Sequence, residues 1–222
     1  MGSMGSIGSI GLVLAAVMFA AAPWMIMRAP MESTMGLIQK IFYFHVPAAF
    51  AMFVSAFVSG IAGALYLYRR SQRAEHVTAA AAELVVVFGG IVLLTGPIWA
   101  RKAWGVWWQW DARLTITLVM WLIFVAYQLL RKYGGPGSET LSAAVALFGM
   151  ANVPFVYWSV NIWRTVHPTT NVVPSLGPGM REAFWWCVAA YLLLYAALLA
   201  ARVRLEAQRV SLDELHFEMG AE

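Results

Sequence analysis

The stretch Val77–Arg131, VTAAAAELVVVFGGIVLLTGPIWARKAWGVWWQWDARLTITLVMWLIFVAYQLLR, decides the fold. Val77–Trp99 carries one charged residue, Glu83, and Leu114–Arg131 carries none before its closing arginine. A membrane-spanning helix needs about 20 consecutive, mostly apolar residues, so both flanks read as spans. The segment between them, 100–113, is too short for a domain and too rich in charge and indole for hydrocarbon. It reads as a surface loop.

Outward from this centre, four more runs have the same character: Ile10–Met27, Pro47–Tyr68, Thr140–Val160 and Ala183–Val203. The chain has 222 residues, 61% of them apolar and only 12% charged, with a mean hydropathy of +0.70, far from the composition of a soluble domain. Little chain remains outside the runs. The expected fold is therefore an all-α membrane protein, a single domain over 1–222 built as a six-transmembrane-helix bundle, with a tryptophan-rich outer loop between helices 3 and 4.

The first run lacks the basic flank of a secretory signal and has no small-residue cleavage site before Arg28, so it reads as a retained helix. Met1-Gly2-Ser3-Met4-Gly5-Ser6 fits a myristoylation pattern formally, but a lipid adds little to a chain that spans six times. Cys187 is the single cysteine. A disulfide, a thiol redox pair and a C-x-x-C-H covalent attachment motif are thereby excluded within the chain, and any ligand is held non-covalently.

Six spans put segments 28–46, 100–113 and 161–182 on one face, and 69–76, 132–139 and both termini on the other. The termini's face carries Arg69, Arg70, Arg73, Arg131, Lys132, Arg202, Arg204 and Arg209, clustered hard against helix ends. That is the positive-inside pattern, which places the termini in the cytoplasm. The outer face carries Arg28, Lys40, Arg101, Lys102, Arg113, Arg164 and Arg181, against only Glu32, Asp111 and Glu182. Insertion does not favour these seven cations, and a bound anion would account for them.

Trp104-Gly105-Val106-Trp107-Trp108-Gln109-Trp110-Asp111 places four indoles within seven residues. An aromatic belt is the plain reading, but a belt serves both interfaces, and here the tryptophans gather at the outer face while the other carries tyrosines such as Tyr66, Tyr68, Tyr127 and Tyr133. If the loop is helical, Trp104, Trp107, Trp108 and Asp111 fall on one face as an aromatic shelf. A flat π-rich ligand with an anionic edge would stack there while Arg or Lys held its carboxylates. Asp111 also suits the cap of the helix that begins near Leu114, and Arg113 suits either Asp111 or a ligand carboxylate.

His45, immediately before the second helix and close to Pro47, and His167, between the fifth and sixth helices, share this face. Two imidazoles from separate segments can approach opposite faces of a porphyrin as axial ligands. His76 and His216 lie on the other face in charged surroundings and read as solvated.

Trp104-Gly105-x-Trp107-Trp108-x-Trp110-Asp111-Ala112-Arg113-Leu114-Thr115 resembles the WWD signature of the haem-handling proteins of cytochrome c biogenesis. His45-Val46-Pro47-Ala48-Ala49 and the stretch Asn152-Val153-Pro154 through Tyr157-Trp158-Ser159-Val160 to His167 are similar to its six-helix branch, haem exporter protein C (CcmC). The resemblance implies a haem carrier in the bacterial inner membrane, not an enzyme. Its cargo is haem b, bound non-covalently and transiently at the periplasmic face, with His45 and His167 as axial ligands to the iron and Trp104, Trp107, Trp108, Trp110, Asp111 and Arg113 as loop contacts. The implied partners are the periplasmic haem chaperone CcmE, the ATP-binding-cassette pair CcmA and CcmB and the small helper CcmD, with membrane lipid around the bundle and no nucleic acid. The N-terminus is shorter and less charged than the family suggests. A carrier must release its haem, so a shallow outer site is expected.

Two other classes fit parts of the pattern. A b-type membrane cytochrome would retain its haem for electron transfer, usually on histidines within spanning helices. A transporter with a midplane site would use Glu83 together with breaks at Pro97 and Pro154.

Overall fold

A computed structural model describes the backbone of residues 2–220, with side chains at 8–212 and 219. The side chains of the myristoylation-like N-terminal hexapeptide and of His216 lie outside the described residues. Among the described residues there are six α-helices and no strand: α1 Gly2–Arg28, α2 Phe42–Arg69, α3 Gln72–Ala103, α4 Ala112–Tyr133, α5 Ser138–Ile162 and α6 Pro178–Gly220. A short 3-10 helix, Leu37–Ile41, leads into α2. All six α-helices are long and apolar enough to cross a membrane. The protein is an all-helical, six-span membrane protein, as its apolar runs predict.

Helix bounds exceed the apolar runs because a helix continues past hydrocarbon as long as its backbone bonds do. The clearest case is α6, whose 43 residues reach roughly 64 Å at ~1.5 Å per residue, twice the ~30 Å of a bilayer core.

The centre of the bundle is α2, which packs against α3, α5 and α6. Its buried face is built of small residues, among them Ala48, Ala51, Ser55, Ala56, Ser59 and Gly60. In lipid there is little hydrophobic drive between helices, so association depends on close van der Waals approach and interhelical hydrogen bonds. Both are present. Ser55 Oγ donates to Ala81 O at 2.7 Å, and Ser59 Oγ to Thr78 O at 3.1 Å, tying α2 to α3. Met52, Phe88, Phe124 and Val156, from four different helices, fill the space between them.

The helices meet most closely at glycines. A Cβ on Gly149 would lie 2.6 Å from Phe124 Cε2 of α4, and one on Gly89 would lie 2.6 Å from Trp121 Cδ1. Trp121 fits against α3 because Gly89 leaves room for its ring, and its Nε1 donates to Val86 O at 2.9 Å.

Charged side chains gather at the bundle end that carries the termini. Arg131 pairs with Glu75 at 2.7 Å and with Glu139 at 3.8 Å, joining α4 to α3 and α5. His76 lies 4.0 Å from Glu75. Glu83 accepts from Arg202 Nε at 2.7 Å, and Arg202 also reaches Glu206 at 3.2 Å. Glu83 sits about three turns into α3. Its partner on α6 explains how a carboxylate is tolerated there.

The glycine contacts predict a contrast. Gly149→Ala forces an added methyl against the fully buried Phe124 ring and is expected to lower stability by about 1–3 kcal/mol. At Gly90, where a Cβ meets nothing within 4 Å, the same change is expected to be neutral or stabilising by up to about 1 kcal/mol. Denaturant midpoints in detergent measure both; equal effects would contradict the α4–α5 packing.

Candidate ligand-binding site

The site is built where α2, α3, α4 and α5 open at the end opposite the termini. His45 is the fourth residue of α2, because the helix begins at Phe42 rather than at Pro47. Aromatic burial draws the helix start outward: Phe42 stacks on Phe184 of α6 at 5.1 Å, and Tyr43 is fully buried. Pro47 accordingly falls in the second turn, where its missing N–H removes one bond to the Tyr43 carbonyl. His45 is thus carried on a helix, not on a loop. Its Nδ1 lies 2.8 Å from Thr95 Oγ1 of α3, which leaves Nε2 as the ring's free nitrogen.

His167 lies on the segment between α5 and α6. Its Nδ1 is 2.9 Å from Pro168 O. A carbonyl can only accept, so Nδ1 carries the proton and Nε2 keeps its lone pair. Burial, and after it the Arg113 guanidinium, push the imidazole down from its ordinary 6.5 to about 4. The neutral form, with a lone pair on one ring nitrogen, therefore prevails at physiological pH.

Asp111 positions this segment. Its Oδ1 accepts from Leu114 N at 2.9 Å, capping α4. Its Oδ2 accepts from Thr165 Oγ1 and, at 3.2 Å, from Val166 N. Thr165 Oγ1 in turn accepts from His167 N at 3.1 Å. One carboxylate joins the start of α4 to the backbone of His167.

Between the histidines lies a cavity of about 540 Å³, within the ~300–1,000 Å³ range of small-molecule and cofactor sites. Its walls are mainly apolar, and they include His45, His167, Trp104, Trp108 and Arg113. Met52 and Phe53 also line it, which takes it about 10 Å down α2 from His45. It is a deep cavity rather than the expected shallow surface.

The tryptophan segment is not helical. α3 ends at Ala103, Gly105 takes φ +79°, and Asp111 is already in extended geometry as the cap of α4. The left-handed glycine breaks the helix, and Arg101 holds the turn by donating to Gly105 O. The proposed single shelf of Trp104, Trp107, Trp108 and Asp111 therefore does not form. Trp104, set edge-on to Trp99 at 4.8 Å, and Trp108 face the cavity. Trp107 and Trp110 are absent from its lining and are 60% and 77% exposed.

Most of the outer cations have partners within the chain. Lys40 Nζ donates to Ile26 O at 2.8 Å and Ala29 O at 2.5 Å, closing the C-terminus of α1. Arg181 donates to Leu176 O at 3.2 Å, and Arg28 stacks over Trp24 at 4.5 Å. Arg113 donates to Val156 O and, at 3.1 Å, to Tyr157 O of α5. It is also the one Lys or Arg among the described residues that line the cavity. An anion is thus not needed to explain the whole set.

Compared with known proteins, the chain matches the family described as CcmC, heme exporter protein C, over residues 3–217. The chain belongs to the haem exporter protein C family. It is 33% identical to heme exporter protein C of Escherichia coli (strain K12) over 207 residues, covering 86% of this chain and 82% of that one. With the Bradyrhizobium diazoefficiens protein of the same name the identity is 35% over 188 residues, covering 82% and 71%. The Paracoccus denitrificans relative is 31% identical over 195 residues, covering 84% and 80%. Family membership was legible in the tryptophan motif; Thr95 and Gly96, which flank His45, were not. A hydroxyl within an apolar run was the only signal for Thr95, and nothing in the sequence pairs it with a residue fifty positions away.

Two predictions follow from the electrostatics of this segment. Asp111→Ala removes a cap and a tether, and should cost about 1–2 kcal/mol while raising amide exchange across 163–167; unchanged exchange there would contradict the tether. In the ligand-free chain, the His167 imidazole should titrate near 4, read by NMR of labelled histidine. Because the unfolded chain takes up this proton near 6.5 and the folded one only near 4, stability should fall as pH drops across that window. A midpoint near 6.5 would contradict its burial.

Proposed function

We propose that the chain binds haem at this cavity, with His45 and His167 as the two axial ligands, and passes it to the periplasmic chaperone CcmE during cytochrome c maturation. The observation that carries the reading is the pairing of imidazoles. They come from separate elements onto one apolar cavity, and each has Nδ1 engaged and Nε2 free. Histidines that ligate metals characteristically donate their other ring nitrogen to a neighbouring acceptor, and two axial imidazoles suit an iron whose porphyrin fills the remaining positions. Among the described residues no three His, Cys, Asp or Glu side chains are grouped as for a bare metal ion.

The remaining walls fit the same cargo. Trp104 and Trp108 offer ring faces to a porphyrin, and Arg113 offers N–H groups to a propionate. Asp111 acts from behind, by holding the His167 segment. Trp107 and Trp110, exposed on the same loop, provide an apolar surface against which the acceptor docks. The carrier works in the bacterial inner membrane with the termini cytoplasmic and the site periplasmic, alongside CcmA, CcmB and CcmD. Haem b is held without a covalent bond and leaves intact.

An enclosed cavity and a helix-borne His45 also suit a b-type cytochrome that retains its haem. The two readings differ in whether haem departs. Glu83, paired with Arg202 and absent from the cavity wall, gives the transporter reading no support.

Purified chain is expected to show a low-spin, bis-histidine Soret spectrum and to lose haem to added CcmE. His45→Ala and His167→Ala should each lose that signature. Unchanged spectra in both variants would overturn the ligand assignment, and a haem that only cycles between oxidation states without transfer would favour the cytochrome.

A further inference from the structure

Thr95 lies in the last third of α3, one turn before Trp99, and its hydroxyl makes two short contacts. Oγ1 is 2.7 Å from Ile91 O, the carbonyl one turn back, and 2.8 Å from Nδ1 of His45. A hydroxyl has one hydrogen. The Ile91 carbonyl can only accept, so that hydrogen is committed to it, and the oxygen must accept from Nδ1–H. The neutral His45 ring is therefore held as the tautomer with its proton on Nδ1 and its lone pair on Nε2. The ring lies close against α3 at the next residue as well: a Cβ on Gly96 would meet His45 Cε1 at 3.4 Å, an ordinary van der Waals contact. The two histidines are held differently. His167 bonds to its own neighbour's carbonyl within a loop, whereas His45 is locked across two packed helices.

We propose that Thr95 is a positioning residue for haem binding: it fixes the tautomer and the orientation of the His45 imidazole so that Nε2 meets the iron. This rests on the haem-carrier reading above. A hydrogen bond to the distal nitrogen of a ligating histidine raises its basicity and limits its rotation, and losing such a partner typically weakens metal affinity about 10- to 100-fold. Thr95 itself does not touch the cargo.

The test uses the full-length chain in detergent, titrated with haemin, for wild type, Thr95→Val and Thr95→Ser, each also in a His45→Ala background. Thr95→Val should weaken haem binding about 10- to 100-fold, hasten its dissociation and broaden or shift the bis-histidine Soret band. Thr95→Ser, which keeps the hydroxyl, should stay within a few-fold of wild type. In the His45→Ala background, Thr95→Val should have no further effect, since the ring it positions is gone. If Thr95→Val matches wild type in affinity and spectrum, or weakens binding equally with and without His45, the positioning role is overturned. A wild-type chain that shows no bis-histidine spectrum would instead overturn the haem reading itself, so the two failures are distinguishable.

Discussion

Hydrocarbon offers no partner to a backbone N–H or C=O, so each span must satisfy its own polar groups as a continuous helix. The rest of this structure follows from that constraint. Irregular backbone is confined to the two ends of the bundle, and so are nearly all the charged side chains. A ligand site with mixed polar and apolar demands forms most readily where helices diverge at an end. The cavity lies there, with its apolar floor reaching down between the helices, its histidines and Arg113 in its wall, and the capping carboxylate of Asp111 behind it.

Close helix packing then decides how rigid each part of that site is. The small residues of α2 let α3 approach until Ser55 and Ser59 reach across to its carbonyls. The same approach brings Thr95 to His45. On the opposite wall there is no such framework, and the position of His167 depends on a chain of hydrogen bonds through Thr165 to Asp111. The cavity thus joins a helix-held histidine to a loop-held one. Under the proposed haem-carrier role, which requires retention and then release, such a combination is of use.

Asp111 illustrates how one residue of a motif serves several layers of structure. Its position before an apolar run suits a helix cap, and the cap is present. The second oxygen is free to act elsewhere, and the fold uses it to hold a segment more than fifty residues away. The outer cations show the reverse economy. Their excess looks like an anion site in the sequence, yet Lys40 and Arg181 terminate or brace helix ends, and only Arg113 reaches the cavity.

The six spans, the side of the bundle on which His45, His167 and the tryptophans gather, and the family itself could all be read from residue order. Span length and helix parity are local or one-dimensional properties, and the tryptophan motif is contiguous. What residue order could not convey was depth and direction. The tryptophan segment reads as a loop whose spacing would form one aromatic face if it were helical; Gly105 at φ +79° breaks any such helix, and Trp107 and Trp110 stand exposed. His45 looked like a loop residue because Pro47 suggests a helix start, yet aromatic packing against α6 moves that start to Phe42. The Thr95 contact, the Asp111 tether and the 540 Å³ cavity all join residues far apart in the chain. Only tertiary packing brings such groups within hydrogen-bond distance, so only the folded bundle could decide them.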